Sequence, residues 1–180
     1  MNEKKRRLKD VELKLLSELM KNSRRSDREI AKAIGVSQPT VSRILAKLEK
    51  EGFIRNYSAI LDFVKVGYSI LAITFVKLKS GYSDEELEKA RKMSRDRIEQ
   101  SQFDVVMLER GMGLGFDACI ISMHKDYSEF SRLQSAIKSF PFVESSKIEN
   151  FIINLEDPVR YHPLSFQTVA KHLAAPEKSK

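Results

Sequence analysis

Apolar and polar positions divide the chain into a helical first third and a mixed remainder. Val11, Leu15, Leu16 and Leu19 recur at helical spacing and predict a first helix over 11–21, capped by Asp10. Ser26 and Glu29 have the spacing of a capping box, and Ile30, Ala31 and Ile34 follow on one face. Gly35 offers the permissive backbone that ends this second helix. Ser37 caps a third, with Pro39 in its first turn, where a missing N–H costs nothing. Val41, Ile44, Leu45 and Leu48 form its apolar stripe. After Gly52 the run Phe53 to Leu61 is rich in β-formers, predicting a wing and then a linking strand.

From Tyr68 the rhythm changes. Residues 68–79 predict a strand, and Ser83 with Glu86 caps a helix carrying Leu87, Ala90 and Ile98. Residues 104–110 and 116–124 predict two strands joined by a hairpin loop at 111–115. Asp126 or Ser128 caps a further helix with Phe130, Leu133, Ile137 and Phe140, and 143–154 forms the last strand. The expected architecture is α+β: a winged helix-turn-helix over 1–62, a linker at 63–67 and a ferredoxin-like βαββαβ unit over 68–154. A C-terminal extension over 155–180 would carry a short helix within 162–173. On the first strand Ile70, Ala72, Thr74 and Val76 share one side and Leu71, Ile73 and Phe75 the other. Both sides are too apolar for open water, so the sheet face that lacks helices predicts a dimer interface.

Charge sharpens the first unit. Of the net +7, residues 1–62 hold 15 Lys and Arg against 9 Asp and Glu, while residues 63–180 hold 17 against 16. The outer face of the third helix presents Gln38, Thr40, Ser42, Arg43, Lys47 and Lys50. A tight helix pair with a polar, basic outer face on the positive third of the chain points to a reader of the DNA major groove. Gln38 and Arg43 suit base edges, Gln for adenine and Arg for guanine. Ser26, Arg28, Thr40, Lys47 and Arg55 suit phosphates, and Pro39 and Ser42 share the same surface. The basic stretch MNEKKRRLKD is either a solvated tail or an arm on the phosphates.

Other classes find little support. No run approaches the ~20 apolar residues of a membrane span, and no apolar segment follows the basic N-terminus as in a secretory signal. The single cysteine, Cys119, excludes an internal disulfide or cysteine-cluster zinc site, and its apolar strand predicts a core position. A cytoplasmic setting is consistent with this. His124, His162 and His172 are widely separated, without metal-ligand spacing, and read as surface positions. The glycine-rich loop lacks the Lys-Ser/Thr of a phosphate loop. No catalytic residue, cofactor or metal set is predicted.

Leu8 to Leu19, followed by SDREIAKAIGVSQPTVSRILAKLEKEGFIRNYSAILD, resembles the DNA-binding half of the Lrp/AsnC transcription regulators. The βαββαβ half is similar to their effector-sensing domain, so the likeness runs from Leu8 to about Asn154. The resemblance implies a homodimer built through the sheets, with further assembly into octamers, and an amino-acid effector bound near the hairpin between the second and third strands. Gly115-Phe116-Asp117 matches the family's glycine-aromatic-aspartate signature, making Gly111, Gly113, Gly115, Phe116 and Asp117 the candidate effector contacts. Where the family usually has a tight loop, this chain inserts 111–115, and the alternative reading is that Asp117 only closes the hairpin. Two alternatives remain open. Siroheme-type tetrapyrrole decarboxylases resemble the same two-domain plan, though they are expected to have lost the basic reading helix. An architectural protein would coat DNA with little sequence preference, a choice that rests on specificity ratios.

Overall fold

In the computed structural model, which describes residues 6–174, the chain forms two compact units. One contains the chain up to Ile60 together with that from Tyr161 onward; the other spans Leu61–Arg160. The start of the basic N-terminal stretch (1–5) and the lysine-rich end (175–180) lie outside the described residues.

The first unit contains α1 (Asp10–Lys21), α2 (Asp27–Ile34) and α3 (Gln38–Lys50). Leu15, Ile30, Val41 and Leu48 are withdrawn from water at its centre, with Leu16, Ile44, Leu45 and Ile54 packed around them. The α2 capping box forms: Glu29 N–H donates to Ser26 Oγ (3.3 Å) and Ser26 N–H to Glu29 Oε2 (2.7 Å). Gly35 takes φ +74°, a left-handed value that a side chain would strain. The cap of α1 differs from expectation. Lys9 holds it, its N–H donating to Glu12 Oε2 at 2.8 Å, and Asp10 is already helical.

Two further expectations are corrected. The run 53–61 forms no strand, because no strand among the described residues pairs with it; it is an irregular segment whose Phe53 and Ile54 N–H groups both donate to the Leu48 carbonyl, at 2.9 and 3.3 Å. The terminal helix, α6 (Gln167–Leu173), starts later than expected and belongs to the helix-turn-helix unit. Ser17 Oγ donates to the Ala170 carbonyl at 2.7 Å, and Gln167 Nε2 to the Lys21 carbonyl at 3.0 Å. Both Ser17 and Ala170 are 0% exposed. Two small side chains at the crossing let the backbones of α1 and α6 approach closely.

The second unit contains β1 (Ile70–Leu78), α4 (Asp84–Glu99), β2 (Asp104–Gly113), β3 (Phe116–His124), α5 (Tyr127–Lys138) and β4 (Val143–Asn154). The sheet is antiparallel in the order β2-β3-β1-β4, as the ferredoxin-like reading requires. Asp126, rather than Ser128, caps α5. Val76, Ile120, Leu133, Ile137 and Val143 form the core under the helices. A closed polar ring adjoins them, with Thr74 and Gln134 buried and Asn150 exposed: Thr74 Oγ1 bonds Asn150 Oδ1 (2.8 Å), Gln134 Nε2 bonds Thr74 Oγ1 (3.2 Å), and Asn150 Nδ2 bonds Gln134 Oε1 (3.3 Å). Each member is satisfied, which is the condition for keeping polar groups in a core.

The opposite sheet face is set by register: Ile73 lies between Ile121 and Phe151, and Phe75 between Cys119 and Glu149. Cys119 is therefore not a core residue; it sits, partly exposed, on this face. His124 departs in the other direction. It is 1% exposed, bonded to Ser122 Oγ at 2.9 Å, with its ring edge-on to Phe130. The expected loop at 111–115 is shorter than its glycines suggested. β2 runs to Gly113, the turn is Leu114-Gly115 with φ +54° and +81°, and one residue bulges between the Arg110–Ala118 and Gly113–Phe116 pairs.

One ion network ties the segment before α1 to the end of α3. Arg6 holds Glu12 through both guanidinium nitrogens (2.8 and 3.1 Å) and Glu51 at 2.6 Å, while Lys47 lies 3.6 Å from Glu12. The Arg6 hydrogen bonds outweigh the burial of Glu12 and lower its pKa from 4.5 to about 2. A carboxylate whose folded pKa is depressed stabilises fully above its unfolded pKa and loses that contribution as pH falls through its folded value. The melting temperature should fall between pH 4.5 and about 2. Glu12→Gln should be less stable at neutral pH and lose part of that slope; an unchanged slope in thermal melts would show that Glu12 is not its source.

Candidate nucleic-acid interface

The sequence of α3 separates a buried back from an exposed front. Val41 and Leu48 are 0% exposed, whereas Gln38, Pro39, Ser42, Arg43, Lys47 and Lys50 are exposed. The hydrogen bonds then sort the proposed contacts. Ser26 is committed to its capping box, and Thr40 to the α3 cap through Ser37 Oγ at 2.8 Å. Ser42 donates to Asp27, tying α3 to the start of α2. Lys47 spans Glu12 (3.6 Å) and Glu51 (3.9 Å). Gln38, Arg43, Arg28 and Arg55 carry no side-chain hydrogen bond or ion pair among the described residues. The side chains proposed to read bases are thus free, and several proposed to touch phosphates have internal partners.

Arg55 owes its position to its neighbours. Ile54 packs into the core, and Tyr57 donates to Glu49 Oε1 at 2.6 Å. Burial, then the bond to Glu49, pushes the Tyr57 pKa up to about 12, so it remains a donor at any physiological pH. The segment carrying Arg55 is anchored to the C-terminal half of α3 on both sides. Sequence reasoning missed this, as it missed buried Glu12; the i, i+3 relation of Lys9 and Glu12 was the available sign of the latter.

In the second unit the candidate effector residues cluster at the β2–β3 turn. Gly111, Gly113 and Gly115 are exposed, and Phe116 packs against Phe75 with ring centres 5.8 Å apart. Asp117 is occupied. It accepts the Leu78 N–H at 2.9 Å and pairs with Lys77 Nζ at 3.1 Å. Burial raises its pKa, but the bonds from Leu78 and Lys77 outweigh that and lower it overall. Among the described residues no three His, Cys, Asp or Glu gather as a metal set, and no helix is long and apolar enough to cross a membrane.

Comparison with known proteins follows this division. Residues 8–55 match the family described as winged helix-turn-helix DNA-binding. An HTH-type transcriptional regulator of Pyrococcus furiosus is 30% identical over 145 residues, covering 80% of this chain and 92% of its own length. The leucine-responsive regulatory protein of Rhizobium meliloti is 38% identical over 69 residues, which are 38% of this chain and 44% of that protein. A solved transcriptional regulator from Neisseria meningitidis, in complex with L-Met, has the same fold, with TM-score 0.68 and 20% identity over 91% of this chain and 99% of its own. By these likenesses the chain belongs to the Lrp/AsnC family of transcriptional regulators.

Proposed function

We propose that this regulator binds a specific site in double-stranded DNA as a homodimer, with α3 in the major groove. The observation that carries the reading is the pair Gln38 and Arg43, exposed and unpartnered among the described residues on a helix whose opposite side has Val41 and Leu48 fully buried and Ile44 and Leu45 half-buried. Pro39 lies between them on the same surface. Arg28 and Arg55, equally free, take phosphates, with Ser26, Thr40, Ser42 and Lys47 contributing around bonds that already orient them. Arg43→Ala should cost about 1–3 kcal/mol on a cognate site and little on random DNA in fluorescence anisotropy at fixed salt. Arg28→Ala should weaken both alike and flatten the salt dependence. Equal losses from Arg43→Ala on both DNAs would support the architectural reading.

The dimer uses the sheet face that carries no helix. Phe151 is 62% exposed and Ile153 37%, beside Ile73 and Ile121 on a face too apolar for open water. A two-fold pairing of these faces gives one reading helix per half-site. Sedimentation should show a dimer at micromolar concentration and a monomer for Phe151→Arg; a dimeric Phe151→Arg would place the interface elsewhere.

The β2–β3 turn is proposed to receive an amino acid, as the L-Met complex of the Neisseria protein suggests. The effector carboxylate meets N–H groups of Gly111, Gly113 and Gly115, and its ammonium exchanges with Lys77 on Asp117 beside Phe116. An amino acid at 100 times its dissociation constant should stabilise the fold by about 2.7 kcal/mol. Thermal shifts with the twenty amino acids should find at least one such ligand, silent on Asp117→Ala; an equal response from that variant would make Asp117 purely structural.

A further inference from the structure

The inward face of α4 is poorly filled. Ala90 and Ser94 occupy the middle of that face, one turn apart, with Leu87 and Ile98 at either end. Ala118 of β3 is another small side chain lining the same space. Between α4 and the sheet lie two adjoining cavities of about 670 and 540 Å³, which share Leu78, Ser94, Ile98, Leu108 and Phe140 in their walls. Each falls within the range of small-molecule sites. Both open to the surface, and the apolar wall left uncovered in them loses burial and dispersion energy unless something occupies it.

The two cavities differ in chemistry. The smaller one is bounded by Val76, Ile120, Leu133, Ile137 and Val143, and its polar wall groups are hydroxyls and amides along with the Arg97 side chain. Arg97 stacks on Phe140, 5.4 Å from the ring centre. The larger one opens past Arg91, Arg95 and Arg110. Arg91 is paired with Glu88 at 2.5 Å, whereas Arg95 has no ion-pair partner among the described residues. Of the acids on this rim, Asp117 is held by Lys77 and Leu78, Glu109 pairs across to Cys119 toward the other sheet face, and Glu99 lies in the last turn of α4. An apolar interior with guanidinium groups at its mouth matches an anion with a hydrocarbon body. The wall of the smaller cavity has no carboxylate to receive an ammonium group, so it does not match a zwitterion.

We propose that the cavity between α4 and the sheet is a binding site for a medium-chain monocarboxylate, its tail against Leu108, Ile120 and Leu133 and its carboxylate at Arg95 and Arg110. The site lies within one chain's βαββαβ unit and borders the β2–β3 hairpin, since Arg110 and Asp117 line its mouth, but its apolar body lies under α4 and not at the turn.

Octanoate is the probe, with octan-1-ol and octylamine as controls, titrated calorimetrically into the full-length protein. Octanoate should bind saturably and at least about tenfold more tightly than either control, a difference of about 1.4 kcal/mol. Ser94→Leu, which fills the junction of the two cavities, should abolish binding while leaving DNA affinity unchanged. Arg95→Gln changes only an exposed side chain, so it tests the rim even if Ser94→Leu fails to fold; it should weaken octanoate about fivefold and leave octan-1-ol unchanged. The proposal is overturned if octanoate does not saturate at millimolar concentration, if octan-1-ol binds as well, or if both folded variants bind octanoate like the parent.

Discussion

The reading helix can present a polar surface because its other side is sealed. Val41 and Leu48 meet Leu15 and Ile30 in a cluster closed to water. Burying side chains of this size is worth about 1.5–3 kcal/mol each. That packing fixes the rotation of α3 about its own axis, and rotation decides which side chains face outward. Hydrogen bonds then refine the placement: Ser42 reaches Asp27 on α2, and Lys47 reaches the Glu12–Glu51 network. Some residues that look like DNA ligands on a helical wheel are therefore working inside the protein, and Gln38 and Arg43 stand out by contrast.

The buried carboxylate of Glu12 shows how a basic surface can include an acid. Left alone in a core it would be costly, but Arg6 binds both its oxygens and Lys9 supplies an N–H. The same guanidinium reaches Glu51 and lies 5.3 Å from the Phe53 ring centre. One arginine thus joins the entry to α1, the end of α3 and the segment that leads toward Arg55.

In the second unit the sheet separates two kinds of incompleteness. On one face α5 packs closely and α4 leaves space, so a cavity lies beneath a helix that is otherwise well capped by Ser83 and Glu86. On the other face apolar side chains from all four strands have no covering helix among the described residues. We place a small molecule at the first and another copy of the protein at the second, because a cavity of a few hundred cubic ångströms and an open sheet differ in the surface they can bury.

Local chemistry made most of the first unit legible. The Ser26–Glu29 box, Gly35, Ser37 with Pro39, and the stripe from Val41 to Leu48 act over three to seven residues, and the structure realises each of them. The βαββαβ order was equally readable, since strand alternation and helix caps are also short-range signals. What the sequence could not decide depended on partners far along the chain. The run 53–61 has strand propensity but no neighbouring strand among the described residues, so it forms none. Cys119 and His124 exchanged their expected environments because a side chain's face depends on the register with β1 and β2. Three glycines suggested a long loop, yet pairing through Gly113 left a two-residue turn and a bulge. Arg6 meeting Glu51 and Ser17 meeting Ala170, 45 and 153 residues apart, are contacts that only the folded chain creates. Short-range capping and periodicity are written in neighbouring residues; register, ion networks and the space left under α4 are properties of packing, and only the tertiary structure decided them.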